Sequence, residues 1–224
     1  MNMKIRNKLA ESYRDVYTTE AMAALSLLSH FNGEIKSVMA VRLKRRANRQ
    51  QQQSKITFLD PESLIPRTTM RVKDARSGNF EGSVIPLDLR RQWIQGTGPA
   101  AKPNAPLESS IRNVAYALLS GADGWMFDGE DALGQINAMS LDNQRNLKLA
   151  IHKDPVFLKV AEQVAGEMNR LASGFLGRKI INNWETQLNF TTKIFRARGL
   201  HLDDRHIREE NGTAMAASIV DLTA

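Results

Sequence analysis

The sequence predicts an α/β fold in which parallel strands alternate with helices, preceded by an N-terminal α-helical appendage. Three observations predict it. The apolar run Trp125–Met126–Phe127 is followed by a long helical stretch and then by a second strand-like stretch from Gln187 to Gly199, the spacing of a parallel crossover. Just before the first of these strands, Ile111, Val114, Ala115, Leu118 and Leu119 fall at i, i+3, i+4, i+7 and i+8, the pattern of an amphipathic helix. Within the first 54 residues, "TTEAMAALSLLSHFNG" and the basic stretch after it both carry helical patterns. With 224 residues, 42% hydrophobic and 25% charged, the chain can bury a sizeable core. The division expected is a helical appendage over 1–54, an extended and loop-rich segment over 55–110, and βα units over 111–224.

Taken in order, "TTEAMAALSLLSHFNG" predicts a helix begun at a Thr cap and stopped near Asn32–Gly33, with a basic helix as its hairpin partner. Ile56–Leu59 predicts a short strand cut off by Asp60–Pro61, and Pro66 keeps the chain extended beyond it. Ser77–Gly78–Asn79 lies between two possible strands and predicts a hairpin turn. "GTGPAAKPNAP", Gly96 to Pro106, is too rich in Gly and Pro for either regular element and predicts a loop. Gly121 supplies the stop for the 111–119 helix. Helices are predicted from about Leu141 to His152 and from Pro155 to about Ala172, Pro155 suiting a first helical turn, and another begins near Thr213. About two βα units result.

Composition excludes several classes of function. There is no cysteine, so neither disulfides nor thiolate metal sites are available. The opening "MNMKIRNKLAESYRDVY" has no apolar leader pattern, and no run of about 18 apolar residues occurs, so a cytoplasmic protein with no membrane partner is expected. The net charge of +7 belongs to one segment. Residues 1–55 hold 11 of the 31 Lys and Arg and 4 of the 24 Asp and Glu, leaving 20 of each in the remainder. Its densest part holds Arg42, Lys44, Arg45, Arg46 and Arg49, downstream of Ile35, Val38, Met39 and Leu43 at helical spacing. Such a helix can grip a polyanion, but the plainer expectation is a helix with one apolar face packed and a solvated basic face. No aromatic side chains are interleaved for base stacking, and a nucleic-acid partner is not expected.

The sharpest chemistry lies in "FDGEDALGQ". Asp128, Glu130 and Asp131 directly follow the Trp125–Phe127 strand, at the end where parallel α/β folds collect functional side chains. Three carboxylates that close repel one another and need a cation, arginines or bulk water to stay ionised; hard oxygen ligands suit Mg2+. A solvated acidic turn is the alternative that spacing alone leaves open.

Four ordered stretches carry a family resemblance. "IPLDLRRQWIQGTGP" is similar to the malate-synthase run that starts I-P-x-D-L and ends I-T-G-P. "ALLSGADGWMFDGEDALGQ" resembles the A-L-N-S-G-A lead into that family's D-x-E-D segment, itself similar to the D-L-E-D of citrate-lyase β-subunit aldolases. "NQRNLKLAI" resembles the continuation, and "FRARGLHLDDRHI" resembles R-P-R-G-W-H-L-x-E-x-H. Together they cover about residues 84–207.

The resemblance implies a partial (β/α)8 TIM-type barrel and an acyltransferase of the glyoxylate cycle, condensing acetyl-CoA with glyoxylate to give malate and CoA. It implies Mg2+ as cofactor, with Glu130, Asp131 and Asp128 lining its outer sphere, and Arg196 as the catalytic arginine that stabilises the enolate oxygen. Residues binding CoA are not assigned by it. Arg198 shares a strand face with Arg196 by alternation, so either could point into the site. His201 and His206 fall on the H-L-x-x-x-H part and are expected to be structural. Ala197 and Leu200 stand where the family has Pro and Trp, which implies a divergent branch. The family's direct metal ligands and catalytic base follow the matched region, so the chain is expected to be an N-terminal part, inactive alone, and able to self-associate through an exposed barrel edge. Rival expectations are a citrate-lyase or malyl-CoA-lyase type enzyme, a polyanion-binding module built on the 35–49 helix, and a gene product without function.

Overall fold

The computed structural model describes residues 3–96, 106–128 and 139–223, the side chains at 88, 139 and 140 excepted. The predicted Gly96–Pro106 loop falls largely outside them. The chain is mixed α/β and divides into two units, residues 1–37 with 91–224, and Val38–Arg90.

The first unit holds two three-stranded sheets. One is parallel, in the order β2 (Trp93–Gly96), β3 (Gly124–Asp128), β4 (Thr192–Arg196), with Asp128 in register with Arg196. The other is antiparallel, in the order β1 (Met3–Ile5), β5 (Asp203–Glu209), β6 (Ala214–Ala216). The described residues do not close a barrel.

Two crossovers build the parallel sheet. The first is α5 (Leu107–Leu119), whose five apolar positions anticipated above are all buried. Gly121 follows at φ +87°, a left-handed conformation that lets the chain turn directly into β3. The second runs through α6 (Met139–Ile151), α7 (Pro155–Leu176) and α8 (Trp184–Phe190). Asp154 accepts a hydrogen bond from the Val156 amide at 2.9 Å to start α7, and Gly177 at φ +66° ends it. Phe157, Val160, Ala161, Val164 and Ala165 of α7 join the buried stripe of α5 and the Trp125 and Phe127 side chains in one core. Burying each of these larger apolar side chains stabilises the unit by about 1.5–3 kcal/mol before entropy is counted.

The predicted strand from Gln187 to Gly199 therefore begins as helix, its first four residues being the end of α8. Asn183 accepts from the Thr186 amide at 3.1 Å and starts α8. Gln187 Nε2 and Thr191 Oγ1 then donate to the Leu119 and Leu118 carbonyls at the end of α5, at 2.8 and 3.1 Å. Only from Thr192 does the backbone pair with β3.

A second core joins α2 (Thr19–Leu28), β5, β6 and α9 (Ala217–Thr223) through Leu25, Ile207, Met215, Ile219 and Val220. Thr18 caps α2 as expected, accepting from the Ala21 amide at 3.2 Å. A short α1 (Leu9–Ser12) precedes it. Asn32–Gly33 does not stop the helical run: a single 3-10 turn, Ser29–Phe31, passes straight into α3 (Asn32–Gln51). Asn32 is buried because its amide bridges two strands, donating to Glu209 Oε1 (2.6 Å) and accepting from the Ala216 amide (2.8 Å). The predicted helical hairpin is replaced by packing of α2 on α9.

In the second unit, no strand forms at Ile56–Leu59, where Ile56 and Phe58 are 81% and 92% exposed and no strand among the described residues pairs with them. The predicted hairpin at Ser77–Asn79 is instead the end of α4 (Val72–Arg76), because the Ser77 and Asn79 amides fold back onto the Lys73 and Asp74 carbonyls while Gly78 takes φ +73°. Val72 is the only buried apolar side chain of this unit among the described residues. No described helix in either unit is long and apolar enough to cross a membrane.

Candidate functional site

Parallel pairing brings three polar side chains to the C-terminal end of the β2-β3-β4 sheet. Asp128 is the last residue of β3, Arg196 the last of β4, and Gln95 the penultimate of β2. Arg196 Nη1 donates to Asp128 Oδ2 at 2.8 Å, and Gln95 Nε2 donates to the same oxygen at 2.6 Å. The carboxylate is 2% exposed and the guanidinium 46%. A buried charge is held here by a cation that itself remains reachable from solvent.

The platform beneath the pair is aromatic. Phe127 stacks on Phe195, with ring centroids 5.0 Å apart, and meets Trp125 edge-on at 5.9 Å. Gly124 lies under Trp93, where a Cβ would come within 2.7 Å of the indole. Close packing at the base of β3 thus fixes the height at which Asp128 emerges.

Strand alternation left Arg196 and Arg198 as equivalent candidates, and the structure separates them. β4 ends at Arg196, and Arg198 turns away into a buried ion network. Its Nε and Nη2 grip both oxygens of Asp221 at 2.9 and 2.7 Å, and Nη2 also reaches Asp204 Oδ2 at 2.8 Å. All three side chains are nearly inaccessible, at 10%, 1% and 2% exposure. The two carboxylates hold the Arg198 guanidinium above its already high ordinary pKa, outweighing the opposing effect of burial. Asp204 in turn accepts from the His206 and Ile207 amides at 2.7 and 2.8 Å, which locks the start of β5.

His206 is buried, with no hydrogen-bond partner for Nδ1 among the described residues, and burial pushes its pKa below the ordinary value. His201 is exposed on the turn before β5. Glu130 and Asp131, the expected outer-sphere metal residues, lie outside the described residues.

Sequence reasoning did not single out Gln95, although it sits inside the "IQGTGP" stretch that carried part of the resemblance. It also missed Asp221, which no motif marks. Elsewhere in the same unit a cavity of about 450 Å3 is lined by Lys153, Lys193, Glu185, Asn189 and apolar side chains. Burial and the neighbouring Lys153 push the Lys193 pKa down. The ammonium donates to the Leu188 and Thr191 carbonyls at 3.0 and 2.8 Å, which gives it the task of closing the end of α8.

The arrangement at Asp128 can present an oriented guanidinium to an anionic or developing oxyanion centre. No protein-family model matches the chain, and a search of curated proteins finds no match.

Proposed function

We propose that the chain belongs to a malate-synthase-like enzyme that joins the acetyl group of acetyl-CoA to glyoxylate. One observation carries the proposal: Gln95, Asp128 and Arg196, drawn from the three separate stretches "IQGTGP", "FDGEDA" and "FRARGLHL", meet on one carboxylate oxygen. Similarity that was scattered over a hundred residues of sequence converges on a single point at the ligand-binding end of a parallel sheet. In the same proposal, β2, β3 and β4 are consecutive strands of a (β/α)8-type barrel. Their spatial order follows their chain order, as barrel strands require, with a helical return between each pair.

In the proposed reaction a base removes a proton from the acetyl methyl group, the enolate carbon attacks the glyoxylate aldehyde, and water then cleaves the thioester to release CoA. Arg196 would face the enolate oxygen as charge grows on it, and Asp128, braced by Gln95, would set the guanidinium's direction. Mg2+ would supply Lewis-acid polarisation of the aldehyde. An Asp128 oxygen that already receives two hydrogen bonds suits contact with a metal's waters rather than with the metal itself, and Glu130 and Asp131 would share that work.

The test is calorimetric titration of the chain with glyoxylate, other 2-oxo acids and acetyl-CoA in the presence of Mg2+. Glyoxylate binding that weakens at least tenfold in Arg196→Gln, with the fold retained, is the expected result. Tighter binding of a different oxo acid or acyl-CoA would favour the citrate-lyase or malyl-CoA-lyase type. Glyoxylate binding that is unchanged in Arg196→Gln would refute the role given to Arg196.

A further inference from the structure

The basic helix is not the half-packed amphipathic helix its composition suggests. Asn32 anchors the start of α3, but from Val38 to Gln51 no residue is buried, and Val38, Val41 and Leu43 are 52%, 68% and 60% exposed. The unit that contains this stretch, Val38–Arg90, holds eleven Lys and Arg against five Asp and Glu, which is +6 of the chain's +7.

Arg42, Arg45, Arg46 and Arg49 are spaced three, four and seven apart, so they project from one side of the helix within an arc of about 100° and along about 10 Å of its axis. None of them, nor Lys44, forms an ion pair with a described residue. The carboxylate of Glu62 in the same unit is already engaged by Arg71 and Lys73, at 2.6 and 2.9 Å.

We propose that this half of α3 is a binding element for duplex nucleic acid, with Arg42, Arg45, Arg46 and Arg49 contacting backbone phosphates. An α-helix with its side chains measures about 10–12 Å across, and the major groove of B-form DNA is about 12 Å wide. Every residue from Ala40 to Gln51 is exposed, which leaves this half of the helix free to enter such a groove. The absence of aromatic side chains among the arginines removes base stacking and so favours a duplex over a single strand. An anionic membrane fits less well. Val41 and Leu43 project on opposite flanks and Lys44 stands behind the arginine stripe, so the helix has no continuous apolar face to lay into lipid. The proposal is independent of the acyl-CoA chemistry and needs no substrate for its test.

The experiment is fluorescence anisotropy of a labelled DNA duplex titrated with the full chain across a salt series. Four phosphate contacts predict a slope of about −3.6 in log affinity against log salt, or roughly a hundredfold loss between about 50 and 200 mM. The variant R42Q/R45Q/R46Q/R49Q should lose most of the affinity and nearly all of the slope while circular dichroism shows helix content unchanged. A charge-matched control, K8Q/R170Q/R178Q/K179Q, neutralises four exposed residues outside α3 and should bind as the parent does. Equal weakening in the control, tighter binding to single strands or to anionic vesicles than to the duplex, or no binding at all would each overturn the proposal.

Discussion

Arg196 and Arg198 are two residues apart, yet replacing each by Met should have very different consequences. Arg198→Met removes three side-chain hydrogen bonds of 2.7 to 2.9 Å and strands two carboxylates that are 1% and 2% exposed. Breaking a buried pair from one side costs about 3–5 kcal/mol. Asp221 keeps the Arg198 backbone amide, and Asp204 keeps those of His206 and Ile207, which places the loss toward the lower end of that range. Arg196→Met removes a bond from a guanidinium that is 46% exposed, and Asp128 keeps Gln95. A charge-assisted bond contributes about 1.5–3 kcal/mol, and solvent at the guanidinium together with the remaining Gln95 bond places this loss toward the lower end of that range. The assay is urea unfolding followed by tryptophan fluorescence. Trp93, Trp125 and Trp184, the three tryptophans of the chain, all lie in the first unit, so the signal reports on the unit that holds both arginines. Arg198→Lys should fall between parent and Met variant, because an ammonium keeps the charge but cannot grip both oxygens of Asp221. If Arg196→Met cost as much as Arg198→Met, or the latter cost less than about 1 kcal/mol, the division of labour would be wrong.

Two further outcomes follow from the same unit. Burial holds the folded-state pKa of His206 below the ordinary 6.5, with Arg198, Arg6 and Arg205 reinforcing the shift and Asp204 opposing it. Stability is then complete above pH 6.5 and is lost as pH falls from there through the folded-state pKa, because the unfolded chain takes up the proton first. His206→Phe should flatten that part of the pH profile between about pH 7 and 5, and an unchanged slope would assign the effect elsewhere. Gly124→Ala places a methyl group 2.7 Å from the Trp93 ring, so unfolding should come earlier by about 1–3 kcal/mol, with a shifted tryptophan emission. A parent-like spectrum and midpoint would show that the ring gives way without cost.

What the sequence made legible depended on whether a segment's partner was near it. α5, β3 and α7 carry their own periodicity and caps, and they stand where that pattern puts them. β2 has four residues, two of them Gln95 and Gly96, and becomes a strand only because β3 lies beside it. The β-branched and aromatic run "FTTKIF" drew the predicted strand too far back, since hydrogen bonds from Gln187 in α8 and from Thr191 just after it to the end of α5 outweigh propensity there. Ile56–Leu59 shows the converse, with strand-like residues and nothing to pair with. At the site, Asp128 was visible because carboxylates after an apolar strand are conspicuous. The separation of Arg196 from Arg198 was not, because alternation describes a strand only as far as it runs, and β4 stops at Arg196.

The antiparallel sheet has a consequence for how the protein is made. β1 pairs residue by residue with β5, and Lys4 reaches the Glu210 carbonyl across a separation of 206 residues. On a ribosome that adds about 5–20 residues per second, Met3–Ile5 must wait at least ten seconds or so for its partner strand to appear. The β2-α5-β3 unit, whose pairings are local, can assemble during that interval. Met3–Ile5, made some two hundred residues before its partner strand β5, is thus among the last segments to find its place.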